Sequence, residues 1–322
     1  MTFGRYIEKL EAVKAELKKG IIGQEYVIDS VLKALICSGH VLLESVPGLA
    51  KTLMARILSL TIKGAEFQRI QFTPDLLPSD ITGVTIYERA GSMQTIKGPV
   101  FTNILLADEI NRTPPKVQSA LLQAMQERQV TIGRSTFNLP KPFFVIATQN
   151  PLEQQGVYQL SHAQVDRFLF KILLDYPSPE EEQHIIENNI DVKEIEEFRI
   201  KRIFDLKEIP AFFGKVKNIH ISEEAKNYIL NIVEATRKPS DYGLEYGKYI
   251  HFGASSRASI FLALAARATA FMDDRDYTIP EDIRCMVLDV LRHRIVPTYE
   301  AKALGIKTDS IIDEILKKVP VE

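Results

Sequence analysis

The chain has 322 residues, of which 45% are apolar and 25% are charged, and its formal net charge is -2. This composition is typical of soluble globular proteins, has room for about two domains and argues against a largely disordered chain. The nearly balanced charge also argues against a surface built mainly to bind nucleic acid.

The cysteines and apolar stretches bear on where the chain works. Cys37 and Cys285 lie far apart in apolar helical patterns, so no disulfide framework is expected and a cytoplasmic location fits best. The longest apolar stretches, such as residues 260–266, are much shorter than the roughly 20 residues that span a bilayer. Glu8 and Glu11 interrupt any signal-peptide pattern, so neither membrane insertion nor secretion is expected.

The spacing of apolar residues predicts helices first and then alternating strands and helices. Two amphipathic helices are predicted near residues 7–17 and 27–36. Apolar runs of strand length, with helical patterns at 52–60 and 117–126 between them, follow at residues 41–43, 104–107, 143–147 and 168–174. Buried strands that alternate with helices predict an α/β fold with a parallel sheet.

The pattern changes at residues 175–179, where Ser178, Pro179 and Glu181 have the spacing of a capped helix start. The later patterns are helical, at residues 225–236, 257–271 and 283–291, with a loop rich in Gly and Tyr predicted at 238–253. We therefore predict a core over residues 1–176 and a smaller all-α domain over 177–322.

A phosphate-binding loop is predicted where the first strand leads into a helix. Backbone amides and the helix N-terminus would hold phosphate, Lys51 would reach the β and γ phosphates, and the Thr52 hydroxyl would bind Mg²⁺. The residues predicted to line this loop are Ser45, Val46, Pro47, Gly48, Leu49, Ala50, Lys51, Thr52 and Leu53.

The loop departs from the strict G-x-x-x-x-G-K-[ST] pattern at Ser45 and Ala50, which stand where glycine is usual. By itself the segment could be a helix cap followed by a surface lysine. If the loop is real, a side chain at Ser45 could strain its first turn or crowd the phosphate.

Carboxylates follow the second predicted strand, at the edge where α/β sheets bind ligands. Asp108 would hold Mg²⁺, and Glu109 would orient and polarise the water that attacks the γ phosphate. The alternative is a helix-capping pair at the end of a strand. After the next strand, Asn150 could position the same water, although Asn-Pro also commonly begins a turn.

These motifs and the stretches around them make the chain similar to the MoxR family of AAA+ ATPases over nearly its whole length. Besides the phosphate loop, the matching blocks are residues 23–24, 71–83 (QFTPDLLPSDITG), 98–101 (GPVF), 108–131 (DEINRTPPKVQSALLQAMQERQVT), 147–168 (with ATQNPLEQQG and AQVDRF) and 253–259 (GASSRAS). The resemblance implies an AAA+ core, a helical lid, ATP and Mg²⁺ as ligands, and a homo-oligomeric ring, usually a hexamer.

The resemblance also implies roles for individual residues. It makes Asn150 the first sensor, Arg167 an arginine finger that acts on the neighbouring subunit's ATP, and Arg257 the second sensor in its own subunit. Gly23 and Gln24 would lie near the adenine.

The residues alone leave other interpretations of the two arginines open. Arg167 could be a surface arginine paired with Asp166, and Arg257 a solvated residue on a lid helix.

Residues 130–139 alternate around Gly133, which predicts a hairpin that serves as edge structure or contacts a substrate. The histidines and cysteines lack zinc-ligand spacing, and no strand leads into G-x-S-x-G.

Three functions follow as hypotheses. The first is an ATPase that remodels partner protein complexes, and the resemblance implies clients such as von Willebrand A domain proteins. The second is a ring motor on DNA or RNA, which the charge balance disfavours. The third is a scaffold that binds ATP with little turnover.

Overall fold

The computed structural model describes residues 3–87, 93–151, 156–188 and 194–321. Residues 152–155, within one of the blocks that carry the family resemblance, lie outside the described part. The strands are β1 (Val41–Ser45), β2 (Ile62–Lys63), β3 (Phe67–Gln71), β4 (Gly83–Tyr87), β5 (Met93–Lys97), β6 (Ile104–Asp108), β7 (Gln129–Ile132), β8 (Ser135–Asn138), β9 (Phe144–Gln149), β10 (Phe170–Leu174), β11 (Phe204–Asp205), β12 (Ile250–Phe252) and β13 (Val296–Pro297).

The helices alternate with these strands and then dominate the chain. They are α1 (Phe3–Leu17), α2 (Glu25–Ile36), α3 (Lys51–Leu60), α4 (Pro78–Thr82), α5 (Pro115–Glu127), α6 (His162–Val165), α7 (Pro179–Asn188), α8 (Ile209–Lys217), α9 (Glu223–Ala235), α10 (Ser256–Met272), α11 (Pro280–Leu291), α12 (Tyr299–Ala303) and α13 (Thr308–Lys318). None of the described helices is both long and apolar enough to cross a membrane.

A five-stranded parallel sheet, in the order β10-β1-β9-β6-β3, lies at the centre of the fold. Its inner strands are buried on both faces, which is why they have nearly continuous apolar sequences. The four predicted strands are confirmed. The fifth, β3, was not predicted because it is an edge strand of mostly polar sequence in which only Ile70 is buried.

The sheet separates two apolar layers. Alternate residues of each strand face opposite sides, so Leu43 and Leu106 pack in one layer and Leu42 and Leu105 in the other. The first layer is continuous from α1, α2 and α3 through α8 to α13, so the N-terminal helices and the C-terminal helices share one core.

The chain after residue 176 is mainly helical, as predicted. The predicted helix start is confirmed, because the Ser178 N–H donates to Glu181 Oε2 (2.8 Å) and the Glu181 N–H donates to Ser178 Oγ (3.3 Å). Two short strand pairs were not predicted: β12 is antiparallel to β13, and β11 is parallel to β2. The pair of β11 and β2 connects the two sides of the predicted boundary at residue 176. The domain boundary therefore stays a prediction.

Two hairpins project from the α/β half. The predicted one is confirmed as β7 and β8, which pair antiparallel around Gly133, whose φ of +60° favours glycine. The other consists of β4 and β5 between α4 and β6, and was not predicted.

Candidate active site

The carboxyl ends of three adjacent parallel strands bring five predicted residues to one edge of the sheet. Lys51 and Thr52 follow β1, Asp108 and Glu109 stand at the end of β6, and Asn150 follows β9. Because β9 lies between β1 and β6, these strand ends are neighbours. This is the edge at which α/β sheets bind ligands.

The loop from β1 to α3 is open at Gly48 and leads into a helix without a side-chain cap. A β-carbon built on Gly48 would meet no heavy atom within 4 Å beyond its chain neighbours, and the φ of Gly48 is +87°. Ala50, at the N-cap of α3, has a φ of 52° and makes no side-chain cap hydrogen bond. The N–H groups of the first turn of α3 therefore lack a side-chain cap, which is the arrangement that binds phosphate.

The Lys51 ammonium group is held inside the loop. It donates to Ser45 Oγ (2.6 Å) and to the carbonyl oxygens of Ser45 (3.4 Å) and Val46 (3.2 Å). Burial lowers the pKa of Lys51, against the opposing effect of Asp108 and Glu109. Lys51 is therefore a partly desolvated cation on neutral acceptors, suited to exchange them for phosphate oxygens.

Asp108 is buried between two donors. Its Oδ1 accepts from the Thr148 hydroxyl (2.6 Å) and its Oδ2 accepts from Arg69 Nη2 (2.7 Å). Arg69 lies on β3, beside the strand that ends at Asp108. These bonds fix the orientation of the carboxylate.

The Glu109 carboxylate is also engaged. Its Oε2 accepts from Gln71 Nε2 (2.7 Å) and lies 3.0 Å from Arg112 Nε. The Glu109 backbone has a φ of 57°, and its N–H donates to Thr148 Oγ1 (2.8 Å). Gln71 and Arg112 therefore share one oxygen of the Glu109 carboxylate.

The sequence analysis did not identify the partners of Asp108 and Glu109. Gln71, Arg112 and Thr148 lie within blocks that carry the family resemblance, so a signal was present for them. Arg69 lies on the unpredicted edge strand, and its contact depends on the pairing of β3 with β6.

Gly23 and Gln24 lie close to α7, which follows the carboxyl end of β10. Gly23 has a φ of +70°, and a β-carbon there would come within 2.4 Å of Glu181 Oε1. Within the described part of the chain, the buried Oε1 of Gln24 has no hydrogen-bond partner. A buried acceptor without a donor is unfavourable, and a ligand with an amino group would satisfy it.

Asn150 is buried directly after β9. Its backbone carbonyl oxygen accepts a hydrogen bond from Asn111 Nδ2 at 3.4 Å. The residues at this edge therefore fit a nucleotide with Mg²⁺. The uncapped α3 and Lys51 suit phosphate, while Thr52 and Asp108 supply the oxygen ligands that Mg²⁺ prefers.

Arg167 lies at the amino ends of the parallel strands, opposite the edge formed by their carboxyl ends. It precedes β10, whose first residue, Phe170, is in register with Val41 at the start of β1. The length of β10, roughly 13 Å at about 3.3 Å per residue, therefore separates Arg167 from the phosphate-loop edge. Its Nη1 donates to the Leu122 carbonyl (2.6 Å), and it is not the partner of Asp166.

Arg257 also lies at this opposite edge, which corrects the expectation that it completes the site of its own subunit. Its Nη1 donates to Asp166 Oδ2 (2.9 Å), and it borders the same cleft as Arg167, Gly39 and His40. The reason is the packing of α10, which shares the apolar layer of α2 and begins beside Asp166. Arg257 is therefore neither at the phosphate loop nor a freely solvated residue.

Two family models match the chain. The ATPase family associated with various cellular activities (AAA) matches residues 40–170, and the AAA lid domain matches residues 247–315. The first match covers β1 to the start of β10, and the second includes α10 and α11.

Relatives match over nearly the full length. The chain is 46% identical over 315 residues to "Chaperone MoxR1" of Mycobacterium tuberculosis, covering 97% of this chain and 82% of that protein. It is 44% identical over 313 residues to "Uncharacterized protein YeaC" of Bacillus subtilis, covering 95% and 93%. A crystal structure of a candidate ATPase from Cytophaga hutchinsonii has a TM-score of 0.90 and 47% identity, covering 98% and 96% of the two chains.

Proposed function

This chain belongs to the MoxR family of AAA+ ATPases, and from that membership we propose that it hydrolyses ATP to remodel or mature partner protein complexes. The observation that carries the proposal is the meeting of Lys51, Thr52, Asp108, Glu109 and Asn150 at three adjacent strand ends. A scaffold without turnover would need Lys51 but not the two carboxylates and the amide beside it.

Each residue has a task in the proposed reaction. Lys51 and the α3 amides bind the phosphates. Glu109 accepts a proton from water as the water oxygen bonds to the γ phosphorus, and the bond from that phosphorus to the β–γ bridging oxygen breaks. Asn150 orients the water. Mg²⁺, held through Thr52 and Asp108 when bound, would offset the negative charge of the phosphates.

The proposed active state is a ring, expected to be a hexamer. Arg167 and Arg257 lie at the sheet edge opposite the phosphate loop, so within one chain neither is available to its own nucleotide. A second copy that docks this edge against the phosphate loop would bring a guanidinium to the γ phosphate, where it offsets charge in the transition state. An arginine supplied in this way is worth roughly three to five powers of ten in rate.

The proposed client is a protein, with von Willebrand A domain proteins as the first candidates, and the proposed location is the cytoplasm. One relative is named a chaperone, which supports this choice over a nucleic-acid motor. The net charge of -2 supports it too, because a motor on DNA or RNA needs a basic channel.

The test compares ATP turnover by the purified chain with that of Glu109→Gln over a range of protein concentrations. We expect turnover by the unaltered chain to rise more steeply than its concentration, because the site is complete only after assembly. The Glu109→Gln variant should bind ATP and retain it. Turnover no greater than that of Glu109→Gln at concentrations where the chain assembles would refute the ATPase proposal.

The ATP-bound Glu109→Gln variant also tests the client. A protein that co-purifies with it, binds only with ATP and raises the turnover of the unaltered chain would support remodelling. Co-purified nucleic acid, together with turnover stimulated by DNA or RNA, would support the motor instead.

A further inference from the structure

A small cleft at the amino edge of the sheet contains three arginines. It has a volume of about 200 Å³, and its polar lining includes Arg128, Arg167 and Arg257 beside Ser38 and His40. Arg128, at the C-terminal end of α5, was not singled out by its sequence pattern. Clefts that enclose a whole small molecule measure roughly 300–1,000 Å³, so this one suits part of a ligand that is held elsewhere.

The charges around the cleft are not balanced. Arg128 Nη2 donates to the Ser38 carbonyl (2.7 Å) and hydroxyl (2.9 Å), and Arg167 donates to the Leu122 carbonyl. Among the described residues, no carboxylate lies within ion-pair distance of Arg128 or Arg167. Neutral oxygen atoms therefore hold both guanidinium groups.

The one carboxylate in the cluster is shared. Asp166 accepts from Arg257 (2.9 Å) and also from the fully buried Arg294 (2.9 Å). Four guanidinium groups and one carboxylate leave three positive charges in a partly buried space. Glu127 lines the neighbouring surface pocket beside Arg167 but not this cleft, and because it is exposed its charge is largely screened by solvent.

His40, which is buried and lines the cleft, neither adds a positive charge nor offsets the charges of the arginines. Burial, together with the nearby charge of Arg128, lowers the pKa of His40 to about 3. The histidine is therefore neutral at physiological pH. Partly buried positive charges without counterions are unfavourable, so the cleft is suited to an anion.

The backbone of Arg128 supports a role for its side chain. Arg128 is the C-cap of α5 and has a φ of 53°, a position where glycine is favoured. A non-glycine residue there costs roughly 1 kcal/mol. Such strain is more readily explained when the side chain is used.

We propose that Arg128 contacts the phosphates of the nucleotide bound by the next subunit, as a third arginine beside Arg167 and Arg257. This inference rests on the proposed function, because it requires a ring in which the amino edge of one sheet meets the phosphate loop of the next. The anion expected in the cleft is part of a triphosphate held by the neighbouring subunit.

The first experiment measures turnover in the assembled Arg128→Gln protein. We expect about a ten- to hundredfold loss, the effect of removing one charge-assisted hydrogen bond. The matched control is Arg284→Gln, because Arg284 is also half-buried and donates to a hydroxyl and a carbonyl, those of Tyr228 and Leu316, but borders no part of the cleft. Equal turnover of the two variants would overturn the proposal.

Complementation then separates a role in the neighbouring site from a role within the subunit. Arg128→Gln chains are mixed with Glu109→Gln chains, which keep Arg128, and a single turnover of pre-bound ATP is followed. We expect faster hydrolysis than the average of the separate proteins, because some Arg128→Gln subunits gain a neighbour with an intact Arg128. A rate equal to that average would overturn the proposal.

An Arg167→Ala and Glu109→Gln mixture identifies which premise has failed. If this mixture recovers activity and the Arg128 mixture does not, the ring arrangement stands and the Arg128 proposal is wrong. If neither recovers, the trans arrangement fails and the proposal fails with it. Should Arg128→Gln melt at a lower temperature, Arg128→Lys replaces it, because lysine can still donate to Ser38 but cannot form two parallel bonds to phosphate.

Discussion

In the proposed function, Lys51 exchanges its contacts with the protein for contacts with phosphate when a nucleotide binds. Its shortest hydrogen bond is to the Ser45 hydroxyl, at 2.6 Å. The sequence left open that a side chain at Ser45 strains the first turn of the loop, but Ser45 ends β1 in register with Leu174 and its φ is not positive. The strained position is Ala50, with a φ of 52°. At the residue scale, the effect of Ser45 is therefore to hold the lysine.

We predict that Ser45→Ala binds ATP about two- to tenfold more tightly, because a hydrogen bond with a net value of roughly 0.5–1.5 kcal/mol no longer has to break. Calorimetric titration of the dilute protein with ATP measures this change. The control is Ser59→Ala, which removes a buried hydroxyl from α3, the helix that begins at Lys51; this hydroxyl donates to the Arg56 carbonyl. Unchanged or weaker binding would show that Lys51 keeps its bond to Ser45 when phosphate is present.

Arg294 joins two elements, the end of α11 and the segment between α6 and β10. Its Nε donates to Asp166 Oδ1 (2.9 Å), and its Nη2 donates to the carbonyls of Asp166 (3.0 Å) and Phe168 (2.6 Å). Burial lowers the pKa of Arg294 to about 10. These bonds flank Arg167 on both sides, so this contact fixes the backbone that presents it.

We predict that Arg294→Met lowers the free energy of unfolding by roughly 3–5 kcal/mol, because it leaves Asp166 buried without one of its partners. Denaturant unfolding measures the change. In the double variant with Asp166→Asn, the loss should be smaller than the sum of the single losses, since each single variant already removes the ion pair between Asp166 and Arg294. Additive losses would mean that Asp166 and Arg294 do not stabilise one another.

At the scale of the whole molecule, buried histidines make stability depend on pH. His40 accepts from the Val145 N–H (3.0 Å), and burial lowers its pKa to about 3. Burial and the neighbouring Arg294 lower the pKa of His293 well below its usual value. The unfolded chain therefore takes up protons below about pH 6.5 that the folded chain does not.

It follows that the contribution of these two neutral histidines to stability is fully present above about pH 6.5 and is lost as the pH drops from there toward their folded pKa values. We predict that His40→Gln flattens this fall by up to about 1.4 kcal/mol per pH unit, relative to the unaltered chain. Unfolding free energies at several pH values between 4 and 7 measure the slope, with the exposed His184 replaced by Gln as the control. A slope that His40→Gln does not change would show that His40 is protonated in the folded chain.

The sequence by itself determined the features that depend on local pattern. In the buried strands and the amphipathic helices, apolar residues recur at spacings that a short window contains. The phosphate loop is a motif within one short segment. The placement of Asp108, Glu109 and Asn150 beside Lys51 also followed, because parallel strands bring their carboxyl ends to one edge.

Only the tertiary structure decided the contacts between distant segments. Arg69 and Gln71 reach the two carboxylates because the polar strand β3 pairs with β6. Arg257 lies beside Asp166, and with Arg128 and Arg167, because α10 packs against α2 rather than over the phosphate loop. Periodicity shows which face of a helix is apolar, but not which of several apolar surfaces it covers. Packing of the whole chain makes that choice.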